Sequence, residues 1–257
     1  MSSKSIVVIP ARIESSRLPR KVLLDIDGWP MVRHVYHQAK QAKLPSKVLV
    51  ATDSEEVATN VMSWGGQAVM TSSDCTCGTE RIASIAHQLD ADIIVNVQGD
   101  EPLIEPDLID DLIGAIQQSE ADVVVPIRKI DNLASLTNSS SVKAMVTDSS
   151  HILCMSRSPI PYIRDVPPDK WLDQSNFWLV VGTAAFKREA LLEYLGWPET
   201  TLESLEKVEQ LRFLEAGKRI YAMETRLDSI AVDVLADLER VRSIVSSQRP
   251  PTGSVKT

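Results

Sequence analysis

The chain of 257 residues is poor in the features that mark specialised environments. It holds three cysteines, Cys75, Cys77 and Cys154. Cys75 and Cys77 flank a single residue, too close for an ordinary structural disulfide, and no second pair completes a zinc set. A disulfide-stapled scaffold is therefore excluded, and small semi-buried thiols in a reducing compartment are expected. No apolar run approaches the ~20 residues of a membrane span. The opening "MSSKSIVVIPA" lacks the long hydrophobic region of a signal peptide. Cations are outnumbered, with 27 Lys and Arg against 35 Asp and Glu and a net charge of −8. That balance excludes a generalised nucleic-acid or anionic-membrane surface, so any anion site has to be a local concentration of cations. A cytoplasmic protein without nucleic-acid or membrane partners is expected. His34 and His37 share a helix face, but no third ligand accompanies them, and they read as solvated. There is no G-x-S-x-G nucleophile signature, no internal repeat and no low-complexity tract.

What is present is a strict alternation. "SIVVIPA", "KVLVATD", "QAVMT", "DIIVNVQGD" and "ADVVVPI" are short and rich in Val and Ile, and they predict buried strands. Between them lie "PMVRHVYHQAKQAK", "SEEVATNVMSWGG", "TERIASIAHQL" and "PDLIDDLIGAIQQ", whose apolar residues recur at three- and four-residue spacing and predict helices. This is the pattern of an α/β fold: a mostly parallel central sheet with helices on both faces. Residues 130–195 break the rhythm. "SVKAMVT", "HILCMSR" and "FWLVVGTAAF" predict antiparallel strands, read as an insertion or arm suited to dimer contacts. "TLESLEKVEQLRFLEAG" predicts one helix with Leu202, Leu205, Val208, Leu211 and Leu214 as its stripe and Gly217 as its stop. A strand "RIYAMET" and a helix "LADLERVRSIVSS" follow. The expected organisation is a single domain over 1–247 and a disordered tail over 248–257.

Ligands of such sheets bind at the carboxyl ends of strands, which singles out four segments. After the first strand, "ARIESSRLPRK" gathers Arg12, Arg17, Arg20 and Lys21. Converging cations with backbone N–H groups from the Ser15–Ser16 turn suit a triphosphate; a basic surface loop is the alternative. In "NVQGDEP", Asp100 follows an apolar strand and Gly99, where a carboxylate suits Mg²⁺ or, alternatively, a helix cap. In "AVDVLADLERV", Asp233 precedes a helix, with capping as its ordinary alternative. In "CTCGTERI", Gly78 and Thr79 open a helix with Glu80 and Arg81 in its first turn, a donor-rich place for a base edge or phosphate.

Taken in order, "IPARIESSRLPRK", "CGTERI", "NVQGDEP", "MSRSPIPY", "LEKVEQLRFLEAG" and "AVDVLADLERV" resemble the 3-deoxy-manno-octulosonate cytidylyltransferases over about residues 5–245. The resemblance implies a Rossmann-like nucleotide-sugar transferase fold and an enzyme that activates an eight-carbon 3-deoxy-2-ulosonic acid with CTP and Mg²⁺ for lipopolysaccharide or related glycans, releasing pyrophosphate. It implies a homodimer joined through the arm. It assigns Ala11, Arg12, Ser15, Arg17 and Lys21 to the triphosphate loop and Gly78, Thr79 and Arg81 to the nucleotide turn. It makes Asp100 and Asp233 metal ligands and places Gln98, Arg157, Glu209 and Gln210 in the sugar pocket. Catalysis then rests on Arg12, Lys21 and Asp100.

The chain departs from the family pattern at named positions. Arg20 stands where the loop usually has Gly, and an arginine there is expected to forbid positive φ and crowd the cradle. With Gly182 as anchor, Val180 and Ala184 stand at the usual His and Tyr positions. "AVDVLAD" keeps Asp233 but loses a Thr-Pro turn and a Glu. Three readings remain open from sequence: a cytidylyltransferase for Kdo or a modified Kdo, a non-catalytic nucleotide- or sugar-binding paralogue, and a cytidylyltransferase of the sialic-acid type.

Overall fold

The computed structural model describes residues 3–15, 17–227 and 229–248. Ser16 and all but the first residue of the expected tail lie outside the described residues. The first half of the chain runs β1 (Ser5–Pro10), β2 (Asp25–Ile26), β3 (Trp29–Pro30), α1 (Met31–Ala39), β4 (Lys47–Thr52), α2 (Glu55–Ser63), β5 (Ala68–Met70), α3 (Gly78–Ala86), β6 (Ile93–Asn96), α4 (Pro106–Gln118) and β7 (Val123–Lys129). It continues with α5 (Leu133–Thr137), β8 (Lys143–Val146), β9 (Ile152–Ser156), α6 (Trp171–Gln174), β10 (Trp178–Val180), β11 (Ala184–Lys187), α7 (Arg188–Tyr194), α8 (Thr201–Glu206), α9 (Gln210–Glu215), β12 (Ile220–Glu224) and α10 (Leu235–Gln248).

One sheet organises the molecule, in the order β5-β4-β1-β6-β11-β7-β10-β8-β9, with β12 parallel to β7. The stretch β5-β4-β1-β6 is parallel throughout. Every residue of β1 is buried, and its pleat sends alternate side chains to opposite faces. Ile6 and Val8 pack with Ile82, Phe186 and Phe213, while Val7 and Ile9 pack with Val32, Val57 and Leu108. That two-sided core explains why the strand reads as a continuous apolar run. The helices form where the pattern predicts them, with local signals in place. Ser54 caps α2 by accepting from the Val57 N–H, and Pro106 opens α4. A smaller cluster of Ile26, Met31, Val232, Leu238 and Val241 fastens α10 to the β2–β3 hairpin. Each of those side chains, fully buried, contributes about 1.5–3 kcal/mol. This docking brings the segment before α10 beside the loop after β1.

Three local expectations are corrected. "FWLVVGTAAF" is not one strand. It splits at Val181–Thr183, so that β10 pairs with β7 and β8 while β11 is inserted between β6 and β7. The helix expected over 201–217 is two helices, because Lys207 takes a left-handed conformation at φ 53°. The apolar stripe fails with it: Leu205 is 77% exposed, whereas Val208 and Leu211 are buried. The bend is braced by the fully buried Glu203–Arg212 pair, with Nε–Oε2 at 2.6 Å and Nη2–Oε1 at 2.8 Å. Arg20, finally, adopts the positive φ it was expected to forbid, at φ 57° and ψ 32°. The surface chain absorbs the left-handed conformation, and the arginine side chain turns outward to pair with Glu56 at the start of α2.

Candidate active site

The carboxyl ends of β1 and β6 meet at a cavity of about 250 Å³. Close backbone approach builds it. A Cβ on Gly99 would lie 2.8 Å from the Pro10 carbonyl oxygen, so only glycine lets the turn after β6 nest against the end of β1. Arg12, Ser15, Arg17 and Lys21 line one side, and Gly78, Gln98 and Asp100 the other. Ala11 lies buried beneath the loop, its N–H bonded to the Ala51 carbonyl at 2.9 Å.

At the floor, Lys21 Nζ donates to Asp100 Oδ2 at 2.5 Å and to Asp233 Oδ1 at 3.3 Å. Arg17 Nη2 lies 3.2 Å from the same Asp233 oxygen. Residues far apart in sequence are thus drawn into one charged cluster. A backbone bond from the Val232 N–H to the Asp100 carbonyl, 2.9 Å, ties the two aspartate segments together. Among the described residues no group of three or more His, Cys, Asp or Glu forms an all-protein metal cage. Asp100 at the cavity wall, with Asp233 joined to it through Lys21, nevertheless suits a hard cation such as Mg²⁺, which takes one or two carboxylates and completes its shell with phosphate oxygens and water. The lysine and arginines so arranged can neutralise a polyphosphate and hold it by charge-assisted hydrogen bonds.

The Gly78–Thr79 turn, expected to meet the nucleotide, is engaged by a side chain of this chain. Glu209, aimed across by the bend at Lys207, accepts from the Gly78 N–H at 3.2 Å and the Thr79 N–H at 2.9 Å. This is a carboxylate on the positive end of α3, the favoured sign for that position. Cys77 caps the same helix, its Sγ accepting from the Glu80 N–H at 3.4 Å. Burial, with Glu209 close by, pushes the Cys77 thiol up to about 12, so it stays neutral in ordinary buffers. Arg81 backs the cavity, but its guanidinium is committed to Asp53 Oδ2 at 2.8 Å and to Thr71 Oγ1 at 2.5 Å. Asp53, which also meets the Ile13 N–H at 3.5 Å, escaped the sequence reading. The signal was there: it ends the strand "KVLVATD" just as Asp100 ends "DIIVNVQGD".

A second cavity of about 210 Å³ adjoins the first, and Gln98 and Glu209 line both. Gln210 and Lys207 also face it, and Val142, Val180, Val181 and Val208 supply its apolar lining. The strand break at Gly182 opens this space. A Cβ there would stand 2.7 Å from Glu101 Oε1, and Gln98 Nε2 donates to the Gly182 carbonyl at 3.4 Å. Ala184 is not at the cavity. It is buried in β11 opposite Asn96. Arg157 lies behind the lining and holds the bend instead, donating through Nε to the Glu206 carbonyl at 2.6 Å and through Nη2 to the Lys207 carbonyl at 3.4 Å. Arg20 does not line the first cavity; it lines a neighbouring open groove that shares Arg12, Glu14 and Ser15 with it.

Comparison with known proteins identifies the family. The family model described as Cytidylyltransferase matches residues 6–220. The 3-deoxy-manno-octulosonate cytidylyltransferase of Geobacter sulfurreducens is 42% identical over 244 residues, covering 91% of this chain and 96% of that protein. Its namesake from Escherichia coli is 39% identical over 246 residues, covering 96% and 98%. A solved structure of CMP:2-keto-3-deoxy-manno-octonic acid synthetase complexed with CTP superposes with a TM-score of 0.89 at 38% identity, covering 96% of this chain and 100% of that one. With matches over nearly its whole length, the chain belongs to the 3-deoxy-manno-octulosonate cytidylyltransferase family.

Proposed function

We propose that this protein activates Kdo or a modified Kdo, an eight-carbon 3-deoxy-2-ulosonic acid, with CTP, giving the CMP-sugar and pyrophosphate for lipopolysaccharide or related glycans. The observation that carries the reading is the convergence of Lys21, Arg17, Asp100 and Asp233 at one end of a parallel sheet, beside a second cavity joined through Gln98 and Glu209. The first cavity receives CTP, with Arg12, Arg17 and Lys21 on the triphosphate; the second receives the sugar acid. The acceptor's anomeric oxygen bonds to the α-phosphorus as the bond to the pyrophosphate oxygen breaks, and the hydroxyl proton passes to solvent. No protein nucleophile is required. The chain's contribution is orientation and fixed positive charge where the leaving pyrophosphate gathers negative charge. Asp100 and Asp233 would hold Mg²⁺, which when bound neutralises phosphoryl oxygens as a Lewis acid.

The bent α8–α9 segment and the Gly182 break shape the acceptor side. The valine lining of that cavity favours an acceptor whose facing carbons carry no charge. The same reading includes a cytoplasmic location, supported by the free thiols of Cys75, Cys77 and Cys154. It includes one domain over 1–247 and a homodimer joined through the arm of residues 130–195. The dimer is supported by β9, which ends the strand order beyond β8 among the described residues and carries Leu153 at 62% exposure.

Pyrophosphate release from CTP and Mg²⁺ over a panel of ulosonic acids tests the reaction. Turnover of Kdo or a modified Kdo is expected. Tight CTP binding with no pyrophosphate from any acceptor would instead mark a non-catalytic paralogue, and turnover of sialic acids alone would mark the sialic-acid type. A single monomeric mass in light scattering at micromolar concentration would refute the dimer.

A further inference from the structure

We propose that Asp237, which lines neither cavity, is the positioning residue that holds Asp233 at the metal site; the inference rests on the reading of Asp233 as a metal ligand. The Asp233 side chain is 44% exposed, and a single one of its oxygens meets both Lys21 and Arg17. Where that oxygen can stand is set by the main chain that carries it. That main chain is irregular between Ser229 and Val234, and the N–H groups of its last three residues are each hydrogen-bonded. The Val232 N–H donates to the Asp100 carbonyl at 2.9 Å. The Asp233 N–H and the Val234 N–H both donate to a single oxygen, Asp237 Oδ2, at 2.9 and 3.0 Å.

Ordinary helix capping accounts for only one of those two bonds. A carboxylate in the first turn reaches back to the N–H of the residue just before the helix, here Val234 ahead of Leu235. Asp237 also grips Asp233, one residue further out. It does so from a rigid base, because its neighbours Leu238 and Val241 are buried against Ile26 and Met31. The segment "AVDVLAD" has no proline to preset the backbone ahead of the helix. Asp237 supplies by two charge-assisted hydrogen bonds the fixation that a stiff residue would supply by its ring.

The test uses the full-length protein and Mn²⁺ as probe. Water-proton relaxation enhancement reads formation of the ternary complex with CTP, and CTP binding without metal is measured separately by calorimetry. Asp233→Asn is expected to weaken Mn²⁺ at least tenfold, and Asp237→Ala about tenfold, the usual cost of removing an outer partner of a ligand. Metal-free CTP affinity should stay within about threefold for Asp237→Ala, since Arg12 and Lys21 are untouched. Asp237→Asn keeps an oxygen for both N–H groups and should rescue Mn²⁺ affinity to within about threefold. Wild-type Mn²⁺ affinity in Asp237→Ala, with loss in Asp233→Asn, overturns the positioning role. Equal loss in Asp237→Asn and Asp237→Ala also overturns it, by assigning the effect to charge. Wild-type Mn²⁺ affinity in Asp233→Asn overturns the metal-ligand reading beneath it. Should Asp237→Ala unfold, Asp237→Ser and Asp237→Asn carry the same comparison.

Discussion

Replacing Arg20 separates backbone strain from side-chain function in the triphosphate loop. Its left-handed conformation, φ 57° and ψ 32°, costs a residue with a Cβ about 1–2 kcal/mol. The ion pair with Glu56 offsets little. Both side chains are more than half exposed, at 60% and 53%, and such a pair contributes about 0–1 kcal/mol. Arg20→Ala removes the pair and keeps the strain, so it should lose about 0–1 kcal/mol. Arg20→Gly removes both, and it gives back about 0.5–1 kcal/mol through glycine's greater freedom in the unfolded chain. Taking the middle of each range, the glycine variant should therefore exceed the alanine variant by about 0.75 kcal/mol, a shift of roughly 2–3 °C in Tm for a domain of this size. Urea denaturation at constant slope reads that difference as a change in midpoint. A glycine variant no more stable than the alanine variant would refute the strain argument. The same pair of proteins tests function. Because the Arg20 side chain lies outside the cavity, KM for CTP should move less than about threefold in either. A tenfold rise, about 1.4 kcal/mol, would mean that Arg20 reaches the nucleotide after all.

Three further outcomes follow from the geometry. Lys21→Met, which removes the ammonium between Asp100 and Asp233, should lower turnover in a pyrophosphate-release assay by about 10²–10³-fold. Glu203→Gln should cost up to about 3–5 kcal/mol in urea denaturation by leaving the buried Arg212 with Glu80, at 4.0 Å, as its remaining carboxylate. The Cys77 thiol, raised from 9.0 to about 12 chiefly by burial, favours the folded state fully below its unfolded value and loses that contribution as pH rises through the folded one. Between about pH 9 and pH 11, then, the urea midpoint of the wild type should fall more steeply than that of Cys77→Ala, and parallel curves would count against a buried neutral thiol.

The sequence by itself determined the parallel half of the fold. β1, β4 and β6 are apolar on both faces, and a strand that is buried on both faces has no other way to be written. It also pointed to the position of the charged cavity, because Arg12, Lys21 and Asp100 follow the ends of β1 and β6 and line it. Tertiary structure alone decided the rest. Nothing local marks Lys207 as the place where one helix becomes two. The bend depends on the buried Glu203–Arg212 pair across it and on two contacts between residues remote in sequence, Arg157 gripping the Glu206 and Lys207 carbonyls and Glu209 meeting the α3 N-terminus. Arg20 makes the same point in reverse. A propensity argument says that an arginine avoids positive φ, but at an exposed loop the penalty is small beside the energy that packs β1, α1 and α10 around it. Asp233 became a partner of Asp100 only when α10 docked on the β2–β3 hairpin and the Val232 N–H met the Asp100 carbonyl, a distance that no spacing along the chain encodes.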